Sequence, residues 1–258
     1  MFFINTRPTD RAETLTKILL DQGVEVVELP LLELVPTPHS SDLVSLYESL
    51  ENASAIVVVS PTAVELGMQY FQDFQNEGKY SHITWIAVGE KTAETLSKFG
   101  VESVVPTVET SEGMLQLPIL NELQNGATVA FWRGEGGRQF MMDSLRNKGI
   151  HILNFVLYTR QCPAQSYEQI VQLKQQLVTK SVYTMVVSSE ASWLNWLKLI
   201  ESDFNILNKA DFWVLGSRLE QILTEFKKKH LLEFKITKLT NLKTESILQQ
   251  IVVAQGNQ

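Results

Sequence analysis

Serine, threonine, glycine and arginine gather in short segments along the chain: Thr6-Arg7-Pro8, Ser60-Pro61-Thr62-Ala63, Gly89-Glu90-Lys91-Thr92, Arg133-Gly134-Glu135-Gly136-Gly137-Arg138, Ser188-Ser189-Glu190-Ala191 and Gly216-Ser217-Arg218. Small residues at a helix start leave backbone N–H groups unpaired and pointing outward, and such starts bind anions. Arg7, Arg133, Arg138 and Arg218 add positive charge to the same rims. Each residue alone has a plainer account. Ser60 and Ser188 suit helix N-caps, Gly89 and Gly216 suit tight turns, and the arginines suit solvated ion pairs. The recurrence in both halves of the chain favours a large anionic ligand held between two lobes.

Other chemistries lack their residues. The glycine segment beginning at Arg133 follows an apolar run and opens a helical one. Gln139, however, stands where a dinucleotide loop needs its last glycine. There is no Walker A lysine-serine pattern. His39, His82, His151 and His230 are scattered without metal-ligand spacing. No nucleophile elbow supports Ser-His-Asp catalysis. Cys162 is the single cysteine, which excludes an internal disulfide and fits a reducing compartment. A net charge of −7 argues against non-specific nucleic-acid binding. The opening Met1 to Glu13 turns polar after four residues and lacks the apolar core of a secretion signal. No stretch approaches a membrane span. These features suggest a cytoplasmic protein without nucleic-acid or membrane partners.

The elements that position these segments follow one grammar. Apolar runs at Phe2–Asn5, Val24–Leu29, Ala55–Val59, Trp85–Val88, Val129–Trp132, Ile150–Phe155, Met185–Ser188 and Phe212–Leu215 predict strands. Between Arg11 and Gln22, apolar Ala12, Leu15, Ile18 and Leu19 have helix spacing, and Gly23 suits the C′ position. Strand, loop, helix, repeated, predicts an α/β protein of parallel sheets flanked by helices. Ligands of such sheets bind outside the carboxyl ends of the strands, where the polar segments stand.

The two halves of the chain correspond. Arg7 lines up with Arg133, Gly23 with Gly149, Val58-Val59-Ser60 with Val186-Val187-Ser188, and Gly89 with Gly216. Two proline-bearing segments, Val35 to Ser41 and Thr159 to Ala164, suit linkers in which strands stop. Each follows the first βαβ block of its half. A chain crossing at both places exchanges those blocks, so residues 1–36 with 160–258 form one domain and 37–159, including the linker, the other.

Several of these segments, taken in order through nearly the whole chain, resemble uroporphyrinogen-III synthase. They are Asn5-Thr6-Arg7-Pro8, Leu29-Pro30-Leu31, the turn from Ser60 to Val64, the run from Ala87 to Ala93, Arg133 to Arg138, and Tyr158-Thr159-Arg160. The resemblance implies two similar α/β domains joined by a two-stranded linker. It implies closure of linear hydroxymethylbilane to uroporphyrinogen III, with loss of water and inversion of the terminal pyrrole ring. No metal or organic cofactor is implied. The substrate is rich in carboxylates, which suits rims carrying Arg7, Ser60, Thr62, Thr92, Arg133, Arg138, Ser188, Ser189 and Ser217. Tyr158 matches the family tyrosine thought to assist the departing hydroxyl; a tyrosine anchoring a strand end would look the same. Gly216-Ser217-Arg218-Leu219 departs from the threonine pair that many members carry there, though Ser217 keeps a hydroxyl. The resemblance further implies a monomer with a transient contact to hydroxymethylbilane synthase. The competing reading is a non-catalytic two-lobed binding protein for an anionic metabolite.

Overall fold

A computed structural model describes residues 1–72, 79–136, 139–201 and 203–256. Strands β1 (Phe2–Asn5), β2 (Glu25–Glu28), β8 (Tyr183–Val187), β9 (Ala210–Leu215) and β10 (Lys235–Leu239) form one sheet in the order β10-β9-β8-β1-β2. Every adjacent pair in it runs parallel. Strands β3 (Glu33–Pro36), β4 (Ala53–Val58), β5 (Thr84–Ala87), β6 (Thr128–Gly134) and β7 (His151–Gln161) form the second, in the order β3-β7-β6-β4-β5. Here β5, β4, β6 and β7 are parallel. This is an α/β fold of two parallel-dominated sheets flanked by helices. Compact contacts divide the chain into Met1–Glu33 with Gln161–Gln258, and Leu34–Arg160.

Both faces of each sheet are covered, which is why the inner strands are continuous apolar runs. In the first unit, Ile4, Met185, Val187, Phe212 and Val214 enter one core. Phe3, Val186 and Trp213 face the other, against Leu15, Leu19, Ile247 and Ile251 of the covering helices. The helix expected from Arg11 forms over Thr9–Asp21, with Ala12, Leu15 and Leu19 buried. Gly23 follows it at φ 72°, the left-handed region in which a C′ glycine avoids a Cβ penalty.

In the second unit, Ile56, Val58, Ala130 and Trp132 point to one side. Ala55, Val57, Val129 and Phe131 point to the other. The helix Pro61–Phe71 lies so close to the first face that a Cβ on Gly67 would sit 2.1 Å from Trp132 Cε3.

The proline-bearing segments differ from expectation. Strand β3 continues through Pro36, and β7 continues past Thr159 to Gln161. Thr37 N donates to Leu157 O at 2.9 Å. Gln161 Nε2 donates to Glu33 Oε1 at 2.8 Å. These opposed matches make β3 an antiparallel edge strand. An edge tolerates proline because its outer N–H needs no partner. The second linker stops only at Pro163, the N-cap of the helix Ala164–Thr179. Strand β10 lies outside the expected set. Its Lys235-Ile-Thr-Lys-Leu239 sequence carries two lysines, as suits an edge strand. Among the described residues, no helix is long and apolar enough to cross a membrane.

Candidate active site

At the carboxyl ends of β4 and β7 the second unit brings Ser60 and Tyr158 together. Ser60 has extended backbone angles (φ −165°, ψ 158°) and caps the helix Pro61–Phe71. Its Oγ accepts the Ala63 N–H at 3.1 Å. The same Oγ lies 3.0 Å from Tyr158 Oη. Tyr158 is only 1% exposed. Its ring packs on the backbone of Gly134, where a Cβ would come within 2.3 Å of Tyr158 Cε2. Glycine at 134 is therefore required by a close approach. Arg160 Nη2 donates to Tyr158 Oη at 3.3 Å, and its guanidinium stands 5.2 Å from the ring centroid. Arg160 Nη1 also donates to Glu135 O at 3.0 Å. A buried phenol is thus held between a helix-cap hydroxyl and an exposed cation.

Arg133 points to the opposite face of the sheet. It is buried, and its Nε donates to Gly134 O at 3.1 Å. Its Nη2 donates to Gly136 O, and its Nη1 approaches Met142 Sδ at 3.7 Å. Burial first, and then the neighbouring Arg160, lower its pKa. The guanidinium therefore pins the glycine turn as well as lending charge. It stands at a cavity of about 170 Å³ between the strand ends and flanking helices.

The other expected rim residues differ in character. Thr62 is half-buried in the first turn of the helix Pro61–Phe71. Thr92 is 2% exposed within the helix Glu90–Ser97. Gly89 caps that helix with extended backbone (φ −169°), not with the turn conformation expected of it. What it provides is space. A Cβ there would lie 2.4 Å from Glu109 Oε2, and Glu109 Oε1 accepts the Glu90 N–H at 2.9 Å. The chain's own carboxylate occupies this helix start. Arg138 lies outside the described residues.

In the first unit, Arg7, Ser188, Ser189 and Ser217 stand at the carboxyl ends of β1, β8 and β9. Arg7 Nη2 donates to Leu242 O, and burial lowers its pKa. Ser189, not Ser188, caps the helix Glu190–Leu199. It has φ −155° and accepts from Ser192 N at 3.1 Å. The correspondence of the two halves is therefore shifted by one residue here. Val58 and Val187 each end a strand, and Ser60 matches Ser189. An N-cap is set by where the chain turns extended, which similarity of letters does not register. Ser217 is exposed in the first turn of the helix Gly216–Lys229. Gly216 takes φ 73°, as a tight turn needs. Arg218 pairs with Glu190 at 2.7 Å, the solvated ion pair.

Two residues at these rims received no site role from the sequence: Arg160, named there only within the Tyr158-Thr159-Arg160 match, and Glu109. Arg160 stands two positions after Tyr158 on one strand, a period that places both on the same face and that could have flagged it. Glu109 lies in an irregular segment and carries no such signal. No group of three or more potential metal ligands occurs among the described residues.

Parallel strands with polar helix starts at their carboxyl ends, and a phenol clamped among them, define a two-unit α/β protein. The family model described as uroporphyrinogen-III synthase HemD matches residues 13–236, and the chain belongs to that family. A uroporphyrinogen-III synthase from Proteus mirabilis is 28% identical over 162 residues, covering 62% of this chain and 80% of that one. In fold, the chain is similar to a uroporphyrinogen III synthase variant from Thermus thermophilus. The TM-score is 0.65 at 15% identity, with 100% of this chain and 99% of that one covered. It is also similar to the enzyme from Helicobacter pylori, at TM-score 0.53 and 13% identity, with 98% of each covered.

Proposed function

We propose that this chain is a lyase of tetrapyrrole and heme biosynthesis that closes linear hydroxymethylbilane into uroporphyrinogen III. Its site is the Ser60–Tyr158–Arg160 cluster with the neighbouring strand ends. The observation that carries this is the hydrogen-bonded Tyr158 phenol in a chain of this family. The pyrrole nitrogen pushes electrons toward the hydroxymethyl carbon, the C–O bond breaks, and hydroxide takes the Tyr158 proton to leave as water. The terminal ring then attacks the resulting cationic azafulvene through its already substituted α-carbon. The bond from that carbon to its bridging methylene breaks and re-forms at the ring's free α-carbon, and loss of the proton from that free carbon restores aromaticity with the ring inverted. Arg160 faces the oxygen that gains charge as its proton departs, a preorganised electrostatic contribution. Ser60 fixes the phenol's direction. The electron-rich pyrroles supply much of the push, so the protein acts chiefly by holding the chain in one geometry.

Carboxylates of the substrate are assigned to Arg7, Ser188, Ser189 and Ser217 of one unit, and to Thr62, Thr92, Arg133 and Arg138 of the other. No cofactor takes part in this reaction. The chain is assigned to the cytoplasm, as a monomer that meets hydroxymethylbilane synthase transiently. The test is to incubate purified protein with enzymatically generated hydroxymethylbilane and separate the isomers. Isomer III is expected; isomer I alone, the product of unassisted closure, would refute the proposal. A second reading of Tyr158 alone rests on its 1% exposure: the phenol anchors the end of β7, and catalysis belongs to the surrounding N–H groups.

A further inference from the structure

The cavity beside Arg133 has the size of one ring. Val59, Val88 and Phe131 line its sheet side, and Met114, Met141 and Met142 its helix side. Its volume of about 170 Å³ is close to the ~150 Å³ of an apolar cavity that takes up benzene. A tetrapyrrole cannot enter it; a single pyrrole can. Thioethers adapt their shape and make favourable sulfur–aromatic contacts, so three methionines suit a flat ring better than a rigid aliphatic wall would.

The rim has the charge that such a ring's substituent needs. Arg133 and Arg160 both border the cavity. Among the described residues, neither makes an ion pair with a carboxylate. Arg133 is 7% exposed, with carbonyls and a sulfur as its partners. A buried cation without a counter-charge is costly, and two adjacent ones repel. An anion arriving at the rim relieves both.

We propose that this cavity receives one pyrrole ring bearing a carboxylate, with the ring among Met114, Met141 and Met142 and the carboxylate against Arg160 beside Arg133. This rests on the proposed function for its ligand class. The ring belongs either to the linear substrate or to a free monopyrrole acid.

The test uses full-length protein labelled at the methionine ε-methyls, titrated with pyrrole-2-carboxylate and with uncharged pyrrole. The Met114, Met141 and Met142 resonances are expected to move upfield and saturate, while Met68 and Met185, buried in other cores, stay fixed. The acid should bind at least about tenfold more tightly than pyrrole, as a charge-assisted hydrogen bond implies. Val88→Phe, which fills the cavity, should abolish the shifts, with unmoved Met68 and Met185 signals showing that the variant is folded. Silent methyls, shifts spread over all methionines, or shifts retained in folded Val88→Phe would each overturn the proposal. Competitive inhibition of isomer III formation by the acid assigns the ring to the substrate. Saturating shifts without inhibition assign the cavity to a free monopyrrole and overturn the substrate assignment. Turnover with silent methyls sinks the cavity alone; methyl shifts without turnover sink the proposed reaction alone.

Discussion

Tyr158 Oη lies 3.0 Å from Ser60 Oγ, which joins the end of β7 to the cap of the helix that follows β4. The same serine oxygen accepts the Ala63 N–H. The phenol is thus coupled to a helix N-terminus on one side and to Arg160 on the other. In the proposed role of proton donor, a phenol fixed in this way needs no rearrangement of its supports.

Tyr158→Phe should keep the fold, since the ring remains against Gly134. Loss of the hydroxyl's hydrogen bonds to Ser60 and Arg160 should cost about 1–2 kcal/mol. The rate of isomer III formation should fall by roughly 10²-fold or less, because general-acid help adds to an already reactive pyrrole. Single-turnover kinetics on the variant read this out. An unchanged rate means the phenol is an anchor.

Gly134→Ala should be destabilising by about 1–3 kcal/mol, the usual cost of overpacking, because its Cβ would press on the Tyr158 ring at 2.3 Å. Denaturant melts of the double variant with Tyr158→Ala test the cause. If the clash is with this ring, the added cost of Gly134→Ala should largely vanish in that background.

The caps make a sharper comparison. Ser60→Ala and Ser189→Ala should each lower stability by about 1 kcal/mol, the typical value of a lost N-cap. Ser188→Ala should change it by less than about 0.5 kcal/mol. Thermal unfolding of the three variants side by side decides the matter; equal effects at 188 and 189 would contradict the observed cap.

Burial, the largest cause, raises the pKa of the Cys162 thiol above its ordinary value. The folded chain therefore holds this proton more tightly than the unfolded chain does. The associated stability is whole below the unfolded thiol's pKa, roughly 8.5, and is lost as pH rises through the folded value. Unfolding free energy should decline more steeply above that pH in the parent chain than in Cys162→Ala. Alkylation of the folded protein by iodoacetamide should be slow at neutral pH and fast in urea.

Much of this protein was legible in its residues. Strands buried on both faces are unbroken apolar runs, so β1, β4, β6, β8 and β9 declared themselves, and with them the α/β class. Helix starts carry their own signature, which brought Ser60, Thr62 and Ser189 into view. The amphipathic pattern of Ala12, Leu15 and Leu19 needed no partner to be recognised. Tertiary structure decided what depends on proximity across the chain. It set β3 on β7, because an edge tolerates a proline that looked like a strand's end. It moved the cap from Ser188 to Ser189, because a cap is a backbone geometry and not a residue type. It turned Arg133 inward onto the carbonyls of Gly134 and Gly136, and placed Glu109 on the Glu90 N–H. Most of all it laid Ser60 on the Tyr158 phenol: a hydrogen bond between distant segments is fixed by packing, and local sequence carries no record of it.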